Sequence, residues 1–300
     1  MIPFVTLADP AYGRCEAMSP LIRRVIARNP GPFTYTGTGT YIVGRAEPGA
    51  TVAVIDPGPP NEAHLAALLE AVAGQTVSHV LVTHTHRDHA PLARPFAQAT
   101  GAVVVAARPP GQTIHASGAL DEDDDADFRP DHIPADGEII AGDGWSLQTL
   151  ATPGHASNHL AFALMEENAL FCGDHVMGWS TTVVAPPDGD MADYMDSLER
   201  VMARGFATLW PTHGAPVTEP APFLTAYRDH RLGRERQILA QLSDQGRRIG
   251  EIVPVLYAAV DPRLWPAASL SVQAHLIKLV REGRVVADGE PTLDATYRLA

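Results

Sequence analysis

The sequence predicts an α+β protein built in layers, with a large domain at residues 1–222 and a small one at 223–300, and three observations carry that prediction. Short apolar runs of strand length alternate with helical periodicities through the first part of the chain, which indicates stacked sheet and helix and not a helical bundle. A proline-rich stretch from Pro216 to Pro222 interrupts the alternation. The charge balance then changes: the whole chain has 22 basic and 35 acidic residues and a net charge of −13, yet residues 224–300 hold 11 basic and 9 acidic groups, leaving +2 there and −15 elsewhere.

Strands are expected at 40–43, 51–55, 80–83, 103–106, 145–150, 160–164, 169–172 and 208–210, each a run of apolar or β-branched residues bounded by turn formers. Helices are expected between them at 62–72, 90–99 and 192–204, where apolar residues recur every three to four positions. After the prolines, residues 225–245 read as a charged helix with apolar Leu232, Ile238, Leu239 and Leu242. Helices at 249–257 and 269–282, then a hairpin beginning at 283–289, complete a winged-helix outline. Its second helix offers only Gln273, Lys278 and Arg281 to a nucleic acid, so a packing or substrate-lid role is expected.

Composition excludes several classes. Two cysteines, Cys15 and Cys172, cannot make a disulfide framework. The acidic balance repels a polyanion unless positive charge is concentrated locally. The opening MIPFVTLADP lacks a basic n-region and meets Pro3 and Pro10 early, and no apolar run approaches the roughly 18–20 residues that span a bilayer. The chain reads as cytoplasmic, with no membrane partner. The acidic run at 121–127 reads as a solvated loop.

The informative segment is Val80-Leu81-Val82-Thr83-His84-Thr85-His86-Arg87-Asp88-His89, where an apolar strand runs into four metal-ligand side chains within six residues. Alternation sends His84 and His86 the same way, and a turn through Arg87 lets Asp88 and His89 swing round as the next helix begins. Three further candidates stand where apolar runs end at Gly or Pro: His155 in Thr-Pro-Gly-His, Asp174 in Cys-Gly-Asp-His, and His213 in Trp-Pro-Thr-His-Gly.

This order and spacing resembles the metallo-β-lactamase superfamily, whose fold is an αββα sandwich. The resemblance implies that His84, His86 and His155 hold one metal, that Asp88, His89 and His213 hold a second, and that Asp174 bridges them. Residues 32–41, 152–159 and 230–238 are similar to the lactamase-beta-like group, which carries a C-terminal winged-helix-like domain and includes a mitochondrial single-strand endoribonuclease and many bacterial proteins. Two departures stand out. Gly39 occupies a position where relatives usually place Asn, a group that would meet substrate, and Ala90-Pro91 replaces the commoner small residues after His89, altering the helix start.

Nitrogen and oxygen ligands without thiolate suit zinc, two ions per chain, although iron and manganese accept the same donors. Such a pair shares a hydroxide, because metal binding lowers the pKa of water from about 15.7 to about 7, a change of about 12 kcal/mol. The expected enzyme is therefore a dinuclear zinc metallohydrolase in which a bridging hydroxide attacks an ester-type or phosphodiester bond. Asp88 orients the hydroxide and receives its proton, Asp174 bridges, and His159 is a candidate to protonate the leaving group or hold a substrate anion; His175 is a weaker one. Two ligand carboxylates against four positive charges favour an anionic substrate, either a small ester, lactone or thioester or single-stranded RNA. The alternatives are a mononuclear iron sulfur dioxygenase using His84, His155 and Asp174, and a β-lactam hydrolase, which Asp174 disfavours because zinc lactamases of this fold generally place Cys or His there. The oligomeric state stays open, a homodimer included.

Overall fold

The computed structural model describes residues 1–7, 9–110, 125 and 127–300. The acidic run at 121–127 lies almost wholly outside the described residues. Strands β1 (Glu16–Ala17), β2 (Ile22–Ile26), β3 (Gly39–Val43), β4 (Thr51–Ile55), β5 (Thr76–Leu81) and β6 (Val103–Val105) form one sheet in sequence order, antiparallel through β4 and parallel from β4 to β6. Strands β7 (Ile139–Gly142), β8 (Trp145–Ala151), β9 (Leu160–Leu164), β10 (Ala169–Gly173) and β11 (Thr208–Pro211) form a second, in the order β11-β10-β9-β8-β7.

The alternation of each strand explains the layers. In β4, Ala53 and Ile55 point between the sheets, meeting Phe162 and Phe171, while Val52 and Val54 point outward to Leu68 and Phe96. Those outer residues belong to α1 (Glu62–Ala71) and α2 (Ala93–Thr100). In β10, Ala169 and Phe171 face the other sheet, while Leu170 and Cys172 face α3 (Met191–Arg204) and the start of α4 (Pro220–Leu239). Two sheets with both faces of each buried and helices outside make an αββα sandwich, as the resemblance implied.

Helix α4 carries the chain from one core to another. Its Phe223, Leu224 and Tyr227 are buried in the first domain, and its Ile238 in the second, so residues 222/223 fall inside a continuous helix. The small domain contains α5 (Ile249–Leu256) and α6 (Trp265–Arg281), with a sheet of β12 (Arg247–Arg248), β13 (Val285–Ala287) and β14 (Thr296–Leu299). This is a winged-helix arrangement. Its second helix is turned inward: Arg281 pairs with Asp190 at the start of α3, Lys278 with Glu235 of α4 at 2.8 Å, and Gln273 donates to Pro291 O at 3.1 Å. Each of the side chains read as a weak nucleic-acid surface thus has a partner within the chain.

Strand β2 escaped the pattern because Arg23 and Arg24 stand in its middle, yet all five of its residues are buried. Arg23 donates to Ala71 O and Gln75 Oε1 at 2.9 and 2.8 Å, and Arg24 to Gly214 O at 3.0 Å, so charge that reads as exposed finds partners inside. The helix expected from residue 90 begins at Ala93, after Leu92 N–H has bonded to Gly58 O at 3.1 Å. A Cβ on Gly39 would meet Thr212 O at 3.0 Å and the Arg24 side chain at 3.3 Å, so a larger residue there would press on both.

Candidate metal centre

All seven expected ligands converge where the sheets end on one side. Beyond β5 the chain turns tightly, with His89 N–H and Ala90 N–H both bonded to His86 O at 3.0 and 3.1 Å, and this turn presents the segment's side chains to one point. Ligand atoms of His84, His86 and His155 lie within 4.8 Å of one another, and so do those of Asp88, His89 and His213. A third set within the same limit, His84, His89 and Asp174, joins the two. Asp174 Oδ2 is 3.5 Å from His213 Nε2, 3.6 Å from His89 Nε2 and 3.9 Å from His155 Nε2, a central place between the groups.

Hydrogen bonds to the outer ring nitrogens fix which nitrogen faces inward. His155 Nδ1–H donates to Val183 O at 2.7 Å and His213 Nδ1–H to Gly37 O at 3.1 Å. Thr83 Oγ1 already donates to Asp56 Oδ2 at 2.8 Å, so at 3.0 Å it accepts from His84 Nδ1–H. His89 Nδ1–H donates to Asp56 Oδ2 at 2.9 Å. Each of these four rings therefore turns its Nε2 into the centre, the nitrogen that would bind a metal in the neutral ring. His84 Nε2 and His86 Nδ1 stand 2.9 Å apart.

Among the described residues, the buried atoms His89 Nε2, His155 Nε2 and Asp174 Oδ1 have no hydrogen-bond partner. Orphaned donors and acceptors aimed at one another are costly unless a cation sits among them, so the residues fit divalent metal. The electrostatics agree. Burial alone would lower the His213 pKa, but Asp174 and Asp88 outweigh it and push it up to about 10. His89 is raised well above its usual value against the same burial, by Asp88, Asp174 and Asp56. Burial would raise Asp88 and Asp174, but the neighbouring histidines pull both down. His84, buried and beside His89 and His86, falls well below the imidazole range.

Two glycines shape the support. A Cβ on Gly154, at φ +135, would stand 2.3 Å from Tyr194 Cα, so only glycine lets the His155 loop pack on α3. A Cβ on Gly173, at φ +52, would reach to 2.6 Å of His159 Nε2. That nitrogen accepts the Asp174 N–H at 3.2 Å, so Nδ1–H of the same ring donates to Thr152 Oγ1 at 2.8 Å. His159 is thus bonded at both nitrogens. His175 is buried, with both ring nitrogens unpartnered, and burial pulls its pKa to about 3. Cys172 is a core residue whose Sγ donates to Val176 O.

Asp56 was missed. Its carboxylate accepts from Thr83 N–H at 2.7 Å, from the Thr83 and Thr212 hydroxyls at 2.8 and 3.0 Å, and from His89. In sequence, Ile55-Asp56-Pro57-Gly58 reads as a turn; the signal was a carboxylate at a strand end beside the ligand-bearing strand.

An αββα sandwich with buried histidines and aspartates gathered at its strand ends defines a metal-dependent hydrolase architecture. Residues 37–213 match the metallo-beta-lactamase superfamily and residues 249–294 the beta-lactamase associated winged helix domain, and the chain is an enzyme belonging to the metallo-β-lactamase superfamily. It is 31% identical over 288 residues to the beta-lactamase-like protein 2 homolog of Caenorhabditis elegans, covering 95% of this chain and 91% of that protein. It is 32% identical over 238 residues to an atrochrysone carboxyl ACP thioesterase of Aspergillus chevalieri, covering 78% and 69%. A beta-lactamase domain protein from Burkholderia ambifaria shares the fold with a TM-score of 0.79 at 21% identity, over 100% of this chain and 97% of that one. No described helix is long and apolar enough to cross a membrane.

Proposed function

We propose that the protein is a dinuclear zinc hydrolase of an ester-type bond, with a carboxylic ester or thioester of a small anionic acid as substrate. The observation that carries the reading is the presence of two complete donor sets joined by Asp174. A mononuclear iron site needs only one of them. Two zinc ions held by His84, His86 and His155 and by Asp88, His89 and His213, with Asp174 between, would supply a nucleophile from water at neutral pH and polarise the substrate carbonyl.

The chain's own groups do the rest. The Asp88 side chain is 22% exposed, the most open of the ligand carboxylates, and its Oδ2 lies 3.0 Å from His213 Nε2. It orients the attacking water and takes its proton. Asp174 holds the two donor sets in register, and His159, spent on the Thr152 hydroxyl and the Asp174 N–H, positions that carboxylate and does not act in proton transfer. The pocket over the donors is about 190 Å³ and is roofed by Pro30, Pro32 and Phe33.

Small esters are favoured over RNA because three of the small domain's basic residues are paired with acids of the same chain. Lys278 and Arg284 pair with Glu235, and Arg281 with Asp190. A backbone-tracking surface needs such charges free. The name of the thioesterase relative adds weight to a thioester. The test is a panel of aryl esters, acyl thioesters, lactones, a β-lactam and a single-stranded oligoribonucleotide, assayed with and without chelator. Chelator-sensitive turnover of esters or thioesters is expected; turnover of RNA alone, or oxygen uptake with a persulfide, would overturn the reading.

A further inference from the structure

A second cavity, of about 340 Å³, lies where the two domains meet, and it shares Pro32 and Phe33 with the pocket over the metal donors. Its volume is at the lower end of the roughly 300–1,000 Å³ of small-molecule sites. Much of its wall is apolar, from Met177, Val260, Leu264 and Ala268. Arg231 and Arg234, one turn apart on α4, also line it, and among the described residues no aspartate or glutamate does.

These guanidiniums are built in and uncompensated. Arg231 is 3% exposed; it lies 4.9 Å over the Tyr194 ring, donates from Nη2 to Thr182 O, and leaves Nε without a partner. Arg234 stacks 4.2 Å over Tyr257, donates from Nη1 to Leu256 O at 3.3 Å, and likewise leaves a buried Nε unpartnered. The indole Nε1 of Trp179, which also lines the cavity, has no partner among the described residues either. Among the described residues neither arginine forms an ion pair, although Glu235 is the next residue along the helix and is spent on Lys278 and Arg284. One buried and one half-buried positive charge without an acid are costly in any protein, and they are conspicuous in one whose net charge is −13.

We propose that this cavity is the acyl subsite of the enzyme and takes a ring-sized apolar group bearing one carboxylate, held by Arg234 and Arg231 with the Trp179 N–H beside them. The assignment of the group as the acyl part of a substrate rests on the hydrolase reading above; the anion binding itself does not. A planar carboxylate matches the guanidinium fork. Its single charge also costs less to withdraw from water into apolar walls than the near-dianion of a phosphate monoester.

The experiment is calorimetric titration of the full-length, metal-loaded protein with 2-naphthoate, the neutral 2-naphthamide and 2-naphthyl phosphate. Naphthoate should bind at least about tenfold more tightly than naphthamide, the worth of a charge-assisted hydrogen bond. In Arg234→Gln that preference should collapse to less than about threefold, with metal content and melting temperature unchanged, and Arg234→Lys should restore part of it. Trp179→Phe, which removes only the indole donor, should weaken naphthoate by about threefold and provides the test if Arg234→Gln does not fold. Equal binding of naphthoate and naphthamide, a preference that survives Arg234→Gln, an unchanged affinity in Trp179→Phe, or tighter Arg234-dependent binding of the phosphate would each overturn the proposal. The hydrolase reading fails separately, through metal content.

Discussion

Asp56 Oδ2 lies 2.9 Å from His89 Nδ1, and the same carboxylate takes hydrogen bonds from Thr83 at the end of the neighbouring strand and from Thr212 beside His213. One buried acid just beyond β4 therefore ties the first sheet, the ligand turn and the end of the second sheet to a single geometry. Replacement by Asn keeps the size and loses the charge that holds the His89 ring. Asp56→Asn should lower affinity for the second metal about 10–100-fold, read by chelator competition, with a smaller effect on the first.

Metal uptake should improve as pH rises. In the metal-free site His213 is protonated at neutrality, its pKa pushed up to about 10, and His89 is raised in the same direction. Metal binding requires the neutral rings, so loading releases their protons. Between pH 6 and 8, apparent affinity should climb by up to about tenfold per pH unit for each proton displaced, and proton release should be visible in unbuffered titration. The sign is fixed: acid disfavours loading.

Gly173 tolerates no side chain. A Cβ there would press on His159 Nε2 at 2.6 Å and on Thr83 Cβ at 2.9 Å, in a left-handed backbone. Gly173→Ala should cost about 2–4 kcal/mol in chemical denaturation and reduce metal content, because the ring that holds Asp174 must shift.

Helix α4, which runs on into the small domain, reaches the metal donors through Tyr227. Its hydroxyl accepts the Thr182 N–H and donates to Ser180 O at 3.0 Å; Thr182 Oγ1 in turn donates to Asp174 O at 2.8 Å, and the next carbonyl, of Val183, receives His155 Nδ1–H. Tyr227→Phe leaves a buried N–H unpaired, so a loss of about 1–3 kcal/mol is expected, measured by thermal or denaturant unfolding. Deleting residues 224–300 removes this brace altogether and should abolish hydrolysis.

The proposed ligands were legible because each stands at or just beyond the end of an apolar run, a pattern in which histidine and aspartate have no packing reason to recur. Cys172 was legible as a core residue from alternation alone. Strand β2 was not, because Arg23 and Arg24 look solvated until Ala71, Gln75 and Gly214 are brought to them by tertiary folding. His159 attracted a proton-transfer role by standing near ligands, and only three dimensions show both its nitrogens occupied. The interdomain cavity was equally hidden: Trp179 and Arg231 are far apart in sequence, and helix α4 reads as an ordinary charged face.

The central claim is that two donor sets joined by Asp174 hold two zinc ions. Elemental analysis of the full-length protein purified without added metal, beside His84→Ala and Asp174→Ala, tests it most directly. The account predicts close to two zinc per chain in the native protein and a sharp fall in both variants; a single iron per chain, or no metal at all in the native protein, would contradict it.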